Sequence, residues 1–502
     1  MRRLVDLPLL VLLLGAAGLA MLVPAGYALI EGESAAAENF ALSALIVLVF
    51  GALLGVATQR YDPRDQVRSQ MISLVGAYLL LPPVLALPMA GAVPGLGFAG
   101  AWFEMVSAFT TTGATVIEAP ETVARAVHLW RSLVGWLGGF FVLLVAIALL
   151  APLNLGGLEV ETGRAVGRAE PGLLGPRMDG SARLLIYLRL LAPLYGGLTL
   201  ALWLGLVVAG DEVFTALCHA MAILSTSGIT PLAEPAASGS GRLGEALMLG
   251  FLIFAITRRS LPGRVQPDQR RRLRRDPELH LAALVVGVLS LAMFLRHWLG
   301  AAPGEDDSLA GALRAIWGSL FTLTSFLTTT GFISGDWEHS RAWAGLTAPG
   351  LLLAGVALIG GGVATTSGGI KLLRLYALYR QGWHEMEKLV HPNVVAGGGG
   401  RARKLRREGA YAAWIAFMLF LLTLALTVAA LSISGAGFEV ALIYSVASVT
   451  TTGPLVAIMG EAGPGFAGLN DGQRALLALA MTLGRLEMLA IVALLVPESW
   501  RR

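Results

Sequence analysis

Thr110-Thr111-Thr112-Gly113 closes a short apolar stretch, and its pattern returns as Ser225-Thr226-Ser227-Gly228, Thr328-Thr329-Thr330-Gly331 and Thr450-Thr451-Thr452-Gly453. The four glycines lie 115, 103 and 122 residues apart, a period of roughly one membrane module. Each copy leads into a polar or proline-bearing loop and then another long apolar run. One such tetrapeptide says little. Four copies at matching positions predict a pore with pseudo-fourfold symmetry, each copy supplying a quarter of a selectivity filter.

Composition agrees. The 502 residues are 56% hydrophobic and 14% charged, with mean hydropathy +0.71, whereas a soluble domain carries about a quarter charged residues. The runs Leu7–Ile30, Leu184–Val208, Leu281–Leu299 and Ala412–Leu431 approach or exceed the ~20 residues that cross a bilayer as a helix. A single cysteine, Cys218, excludes an intramolecular disulfide and a cysteine-based metal cluster. Met1-Arg2-Arg3 before an apolar run imitates a secretory signal, with Pro24-Ala25-Gly26 as a candidate cleavage region. That run is long for a signal and a second span, Leu42–Val56, follows at once, so a retained first transmembrane helix is expected.

The chain thus reads as an all-α membrane protein with two leading helices (1–62) and four helix–pore-loop–helix modules (63–160, 161–262, 263–392 and 393–502) around one pore. Ten spanning helices are expected, with half-helices near 100–112, 211–225, 308–328 and 436–450. With the N-terminus inside, segments 1–5, 59–68, 161–189, 258–275, 371–408 and 501–502 hold 29 of the 37 Lys and Arg residues. The opposite segments are acidic or neutral, as in Glu305-Asp306-Asp307. Both termini are therefore expected in the cytoplasm, with the filter loops opening outward. The run Arg270-Arg271-Arg272-Leu273-Arg274-Arg275 is sufficiently explained as a topology anchor beside membrane lipid, and no nucleic-acid partner is expected.

The residue types suit a cation. A dehydrated cation needs oxygens at fixed spacing, which backbone carbonyls supply where the loop is not helical. Glycine reaches the required backbone conformations, and the hydroxyl residues before it can hold the loop. Each half-helix would turn its negative C-terminal end toward the cavity. The candidate ion-binding residues are Thr111, Thr112, Gly113, Thr226, Ser227, Gly228, Thr329, Thr330, Gly331, Thr451, Thr452 and Gly453. A second candidate element is Gly360-Gly361-Gly362-Val363-Ala364-Thr365-Thr366-Ser367-Gly368-Gly369, poor helix material that should break a span.

Phe103-Glu104 through Thr115 closely resembles the first pore loop of the Trk/Ktr/HKT superfamily of potassium transporters, and Thr328-Thr329-Thr330-Gly331-Phe332 resembles its third. Gly484-Arg485-Leu486-Glu487 is similar to that family's final-module signature, and Gly361-Gly362…Ser367-Gly368-Gly369-Ile370-Lys371 to its third-module break. The two leading helices point to the bacterial Trk branch. The second loop (Ser225-Thr226-Ser227-Gly228-Ile229), the fourth (Gly453-Pro454) and the helix around Phe251-Leu252 depart from the family pattern.

The resemblance implies potassium as the transported ion, with Gly113 favouring potassium over sodium, and no tightly bound cofactor. It also implies a homodimer with one pore per protomer, a separate cytoplasmic nucleotide-binding regulatory subunit, and residence in the bacterial inner membrane. The glycine-rich break, with Gly361, Gly362, Ser367, Gly368, Gly369 and Lys371, becomes a gate below the filter. Arg485, a charge inside an apolar span, becomes an electrostatic barrier in the pore. Glu104 is expected to hydrogen-bond the neighbouring loop.

Two other classes compete. A secondary transporter coupled to sodium or protons often shows inverted repeats and midplane acids. Here the repeats run in parallel and acids inside the spans are nearly absent. An integral membrane enzyme needs convergent nucleophiles, metal ligands or paired carboxylates. None appears at consistent depth, the seven histidines show no ligand spacing, and no Gly-x-x-x-x-Gly-Lys-Ser/Thr loop is present.

Overall fold

Backbone polar groups in hydrocarbon must be satisfied within the chain, which leaves helices as the means of crossing for a chain with such long unbroken apolar runs. The computed structural model describes residues 8–58, 66–150, 180–233, 239–258, 276–297, 308–391, 400–458 and 465–486, and these contain no β-strand. The basic run at 270–275, the acidic run at 305–307, Glu487 and the remainder of the last span lie outside the described residues.

Helix α1 (Leu9–Glu31) ends at Gly32, whose left-handed φ of 78° lets its N–H bond the Ala28 carbonyl. The chain turns at once into α2 (Ser34–Ala57), making an antiparallel hairpin. Glycine permits the close packing: a Cβ on Gly18 would sit 2.8 Å from Leu48 Cγ. The outward face of α2 (Leu42, Leu45, Ile46, Val49, Phe50 and Leu53) is exposed, the arrangement expected where lipid rather than water is the solvent.

The first module comprises α3 (Gln66–Ala92), the short α4 (Gly97–Phe109) and α5 (Arg125–Val145), which continues as one π-helical turn, Ala146–Leu150. Glu33, from the hairpin turn, caps α5 from 92 residues away, accepting the Arg125 N–H at 2.8 Å and the Ala126 N–H at 3.2 Å. Phe40 packs edge-on against Trp130 at 5.9 Å. The second module runs α6 (Gly180–Val208), α7 (Val213–Ser225) and α8 (Gly241–Ile256). The third runs α9 (Pro277–Arg296), α10 (Leu309–Leu327), α11 (Trp337–Trp343), α12 (Pro349–Ile359) and α13 (Leu372–Val390). The fourth contains α14 (Gly400–Ile433), α15 (Phe438–Val449), α16 (Leu455–Ile458) and α17 (Asp471–Arg485).

Among the described residues, seven helices are long and apolar enough to cross a membrane. The expected ten exceeds this because α8 has 16 residues, the third module's second span is split into α12 and α13, and α17 is described only to Arg485. Large apolar side chains stay exposed on the outer helices, as Leu200 and Leu204 of α6 do, while the hydroxyl residues of the four tetrapeptides are buried. Helix α5 is buried over 67% of its most apolar window against 28% for α6, and the centre is lined with buried Thr and Ser. A multi-pass membrane protein results.

Candidate functional site

The short helices α4, α7, α10 and α15 end in the same way. The first residue of each tetrapeptide turns its hydroxyl back onto the carbonyl four residues earlier: Thr110 to Val106 at 2.7 Å, Ser225 to Met221 at 2.7 Å, Thr328 to Thr324 at 3.0 Å and Thr450 to Val446 at 2.7 Å. The same hydroxyl meets that of the third residue, at 2.8 Å for Thr110 and Thr112, 3.0 Å for Ser225 and Ser227, and 3.1 Å for Thr328 and Thr330 and for Thr450 and Thr452. The third residue's N–H reaches a carbonyl five residues back, as in Thr112 to Ser107 at 2.8 Å. The N–H of the third residue thereby pairs a carbonyl of the helix end, while each hydroxyl shares a carbonyl that already accepts a backbone N–H, as Val106 does from Thr110 at 2.9 Å.

The second residue carries strain. Thr111, Thr226, Thr329 and Thr451 all have left-handed φ, between 53° and 58°. That region is unusual for a β-branched residue and persists only where its surroundings over-determine it. Four recurrences at one position mark a designed turn.

The glycines interlock the loops in a cycle. A Cβ on Gly113 would lie 2.0 Å from the Ser227 carbonyl oxygen, one on Gly228 2.1 Å from the Thr330 oxygen, one on Gly331 2.8 Å from Pro454 Cγ, and one on Gly453 2.2 Å from the Ala114 nitrogen. First loop touches second, second touches third, third touches fourth and fourth touches first. The four loops that carry the twelve candidate residues therefore close into one ring, with all of those residues buried except the half-buried Gly113.

The expected equivalence of the four glycines is broken at the last. Gly113, Gly228 and Gly331 have positive φ, whereas Gly453 does not. Pro454 follows it, and a residue before proline is pushed toward extended backbone. The Gly453 N–H instead donates to the Thr112 carbonyl of the first loop at 2.6 Å.

Nine residues before each glycine, one side chain of the short helix supports the outgoing segment. Glu104 accepts the Thr115 hydroxyl and the Val116 N–H, both at 2.6 Å, and pairs with the buried Arg131 at 2.8 Å. His219 Nε2 lies 3.0 Å from the Thr230 hydroxyl, and its ring stacks edge-on against Phe332 of the third loop at 5.2 Å. Thr322 accepts the Ser334 N–H at 3.2 Å. Tyr444 packs edge-on against Phe466 at 5.0 Å. Sequence reasoning anticipated the Glu104 bond and saw in the histidines, His219 among them, only the lack of ligand spacing. Counting back a fixed interval from each glycine would have identified all four.

Between α12 and α13 the backbone breaks where glycine density predicted. Gly360 (φ 72°), Ala364 (55°), Gly369 (75°) and Lys371 (85°) are all left-handed. The N–H groups of Ile370, Lys371 and Leu372 reach the carbonyls of Leu358, Ile359 and Gly361 at 2.9–3.0 Å, so the loop folds back on itself. It lies directly against the ring. Thr226 donates to the Thr366 carbonyl at 2.8 Å, and Gly368 N–H donates to the Thr329 hydroxyl at 2.7 Å. A Cβ on Gly368 would fall 2.2 Å from the Thr450 carbonyl oxygen. Gly361 and Gly362 press on the end of α8, and the Gly362 N–H bonds the Ala255 carbonyl at 3.0 Å. Lys371 Nζ donates to the Ser367 carbonyl.

Two acids missed in the sequence sit beside this loop. Buried Glu278 accepts the Val363 N–H at 2.7 Å, and buried Asp276 caps α9 while accepting the Thr257 hydroxyl at 2.5 Å. Their signal was weak because they lie at the edge of a span. Arg485 lines a cavity of about 40 Å³ with Tyr78, Thr365, Ser367, Gly368 and Lys371. Its neighbour Gly484 lets α17 approach α15, where a Cβ would sit 2.2 Å from the Val449 carbonyl oxygen. Gly138 of α5 does the same against the Phe109 carbonyl, also at 2.2 Å.

The sequence profile of the TrkH family, described as cation transport protein, matches residues 36–237 and 252–501. The chain is 27% identical over 483 residues to the Trk system potassium uptake protein TrkH of Escherichia coli, covering 96% of each. It is 28% identical to the Trk system potassium uptake protein TrkI of Halomonas elongata, covering 96% of this chain and 94% of that one. The crystal structure of the potassium transporter TrkH from Vibrio parahaemolyticus superposes with a TM-score of 0.80 at 25% identity, covering 100% of both chains. With its ring of loops, its interrupted third-module helix and this match along nearly its whole length, the chain belongs to the TrkH family of cation transport proteins and is a transporter rather than an enzyme.

Proposed function

We propose that this chain is the membrane subunit of a potassium uptake system of the bacterial inner membrane, passing the ion down its electrochemical gradient through the ring of four loops. The names of its relatives support the ion. The observation that carries the reading is the closed cycle of loop contacts, Gly113 to Ser227, Gly228 to Thr330, Gly331 to Pro454 and Gly453 to Ala114. Carbonyls and hydroxyls of Thr111, Thr112, Gly113, Thr226, Ser227, Gly228, Thr329, Thr330, Gly331, Thr451, Thr452 and Gly453 would replace the hydration shell of potassium.

Gly361, Gly362, Ser367, Gly368 and Gly369 form the gate, seated on the second, third and fourth loops. Lys371 and Arg485 place positive charge beside it and hold cations back when it is shut. Modules bounded near 62, 160, 262 and 392, cytoplasmic termini, a homodimer and a cytoplasmic nucleotide-binding regulatory subunit complete the reading.

The test is rubidium-tracer uptake into liposomes bearing the purified chain, with potassium or sodium as competitor. Uptake blocked by potassium and not by sodium, and losing that preference in Gly113→Ser, is the expected result. Equal competition by sodium in the unsubstituted protein overturns potassium selectivity. A preference untouched by Gly113→Ser overturns the filter.

A further inference from the structure

The ring looks fourfold, but the chemistry behind it is twofold. Among the described residues, two carboxylates hold the outgoing segment within four residues of a ring glycine, and they stand behind loops that are opposite in the cycle. Behind the first loop is Glu104, 1% exposed, with its three donors Thr115 Oγ1, Val116 N and Arg131 Nε. Behind the third is Glu245 of α8, 9% exposed, which accepts the Trp317 indole N–H at 2.5 Å, the Ser334 hydroxyl at 2.8 Å and the Gly335 N–H at 2.7 Å.

The segments so held correspond. Thr115 and Val116 stand two and three residues beyond Gly113, and Ser334 and Gly335 three and four beyond Gly331. In each case one hydroxyl and one backbone N–H of the loop converge on a carboxylate, with a third donor from a helix. One turn before Glu245 on α8, Arg242 pairs with Asp336 at 2.6 Å, adding a second tie to the same segment. The second loop has an imidazole–hydroxyl contact at this level, and the fourth an aromatic pair.

We infer that Glu245 is a positioning residue of the third loop, equivalent to Glu104 for the first, so that two opposed carboxylates fix the width of the ring. Hydrogen bonds to a charged acceptor are stronger and shorter than neutral ones, so the two braced loops form the rigid pair of the ring. Potassium and sodium differ chiefly in the spacing of oxygens they require. A brace that fixes spacing therefore acts on discrimination before it acts on throughput.

The inference rests on the filter reading, so the experiment separates the two. Potassium-over-sodium preference is measured by competition against rubidium uptake for Glu245→Gln, Ser334→Ala, Trp317→Phe and Gly331→Ala in the full-length protein, each checked for monodispersity and melting temperature. In Glu245→Gln the amide group must turn its NH2 toward a donor, breaking one contact while nearly preserving volume. Glu245→Gln and Ser334→Ala are each expected to lower the preference about three- to tenfold, with rubidium flux retained, and the pair to be less than additive. Should Glu245→Gln fail to fold, Ser334→Ala and Trp317→Phe decide.

An unchanged preference in folded Glu245 and Ser334 variants, with Gly331→Ala altering it, overturns the positioning role. A lowered melting temperature at unchanged preference does the same, leaving Glu245 a stabilising residue only. An unchanged preference in Gly331→Ala as well overturns the filter reading and the inference with it.

Discussion

The Thr226 hydroxyl lies 2.8 Å from the carbonyl of Thr366, 140 residues further along the chain, and shares its single proton between that carbonyl and the Ser225 carbonyl at 2.7 Å. The companion bond, Gly368 N–H to the Thr329 hydroxyl, is 2.7 Å long and spans 39 residues. The strained second residue of two ring loops thus has another task besides lining the ring: it holds the intramembrane loop against it. The same hydroxyls in the other two loops, on Thr111 and Thr451, are buried without a partner among the described residues.

The first prediction concerns this latch. Valine is isosteric with threonine and leaves the β-branched strain in place, so Thr226→Val and Thr329→Val remove one hydrogen bond each. At about 1 kcal/mol per bond, each should raise rubidium flux about fivefold in the absence of regulation, and deletion of 361–369 should raise it further. Flux is read in liposomes, with Thr111→Val as reference for simple loss of a hydroxyl. Thr226 and Thr329 variants that exceed this reference support the latch; unchanged leak after the deletion would sink the gate itself.

Glu278 holds the same loop through the Val363 N–H at 2.7 Å. A buried N–H left without its acceptor costs about 1–3 kcal/mol, so Glu278→Ala should weaken the closed seating and raise basal flux. Glu278→Gln retains an acceptor oxygen at that point and should stay closer to the unsubstituted protein. Equal behaviour of the two variants would show that charge, not this bond, matters.

Arg485 and Lys371 line one small cavity with Ser367 and Gly368. At an effective dielectric near 20, a unit charge about 8 Å from an ion costs it about 2 kcal/mol. Arg485→Ala should therefore increase rubidium flux about tenfold or more. The variant must be shown folded, since α17 packs Gly484 against α15. A folded variant that conducts no better removes the barrier role.

Arg131 and Glu104 form an ion pair of 2.8 Å with both side chains at most 5% exposed. Breaking it from one side leaves a buried charge, so Arg131→Leu should destabilise the protein by about 3–5 kcal/mol. Glu104→Gln with Arg131→Leu should recover part of that loss. Thermal unfolding in detergent measures both, and equal melting temperatures for the single and double variants would contradict the pairing.

Much of this architecture was legible in the chain. The four tetrapeptides and the ten-residue small-polar run at 360–369 are local signals, and composition and spacing exposed them. Long apolar runs fix helices because the bilayer offers the backbone no other partner. What the sequence alone determined was therefore the all-helical membrane class, the fourfold repeat, the short helices before each glycine and the break in the third module.

Only the tertiary structure decided the cyclic order of the loops, the seating of the broken segment on Thr226 and Thr329, and the acids Glu245 and Glu278. The reason is physical. Each of these is a contact between residues roughly 40 to 340 positions apart, and its energy depends on a distance that no local spacing encodes.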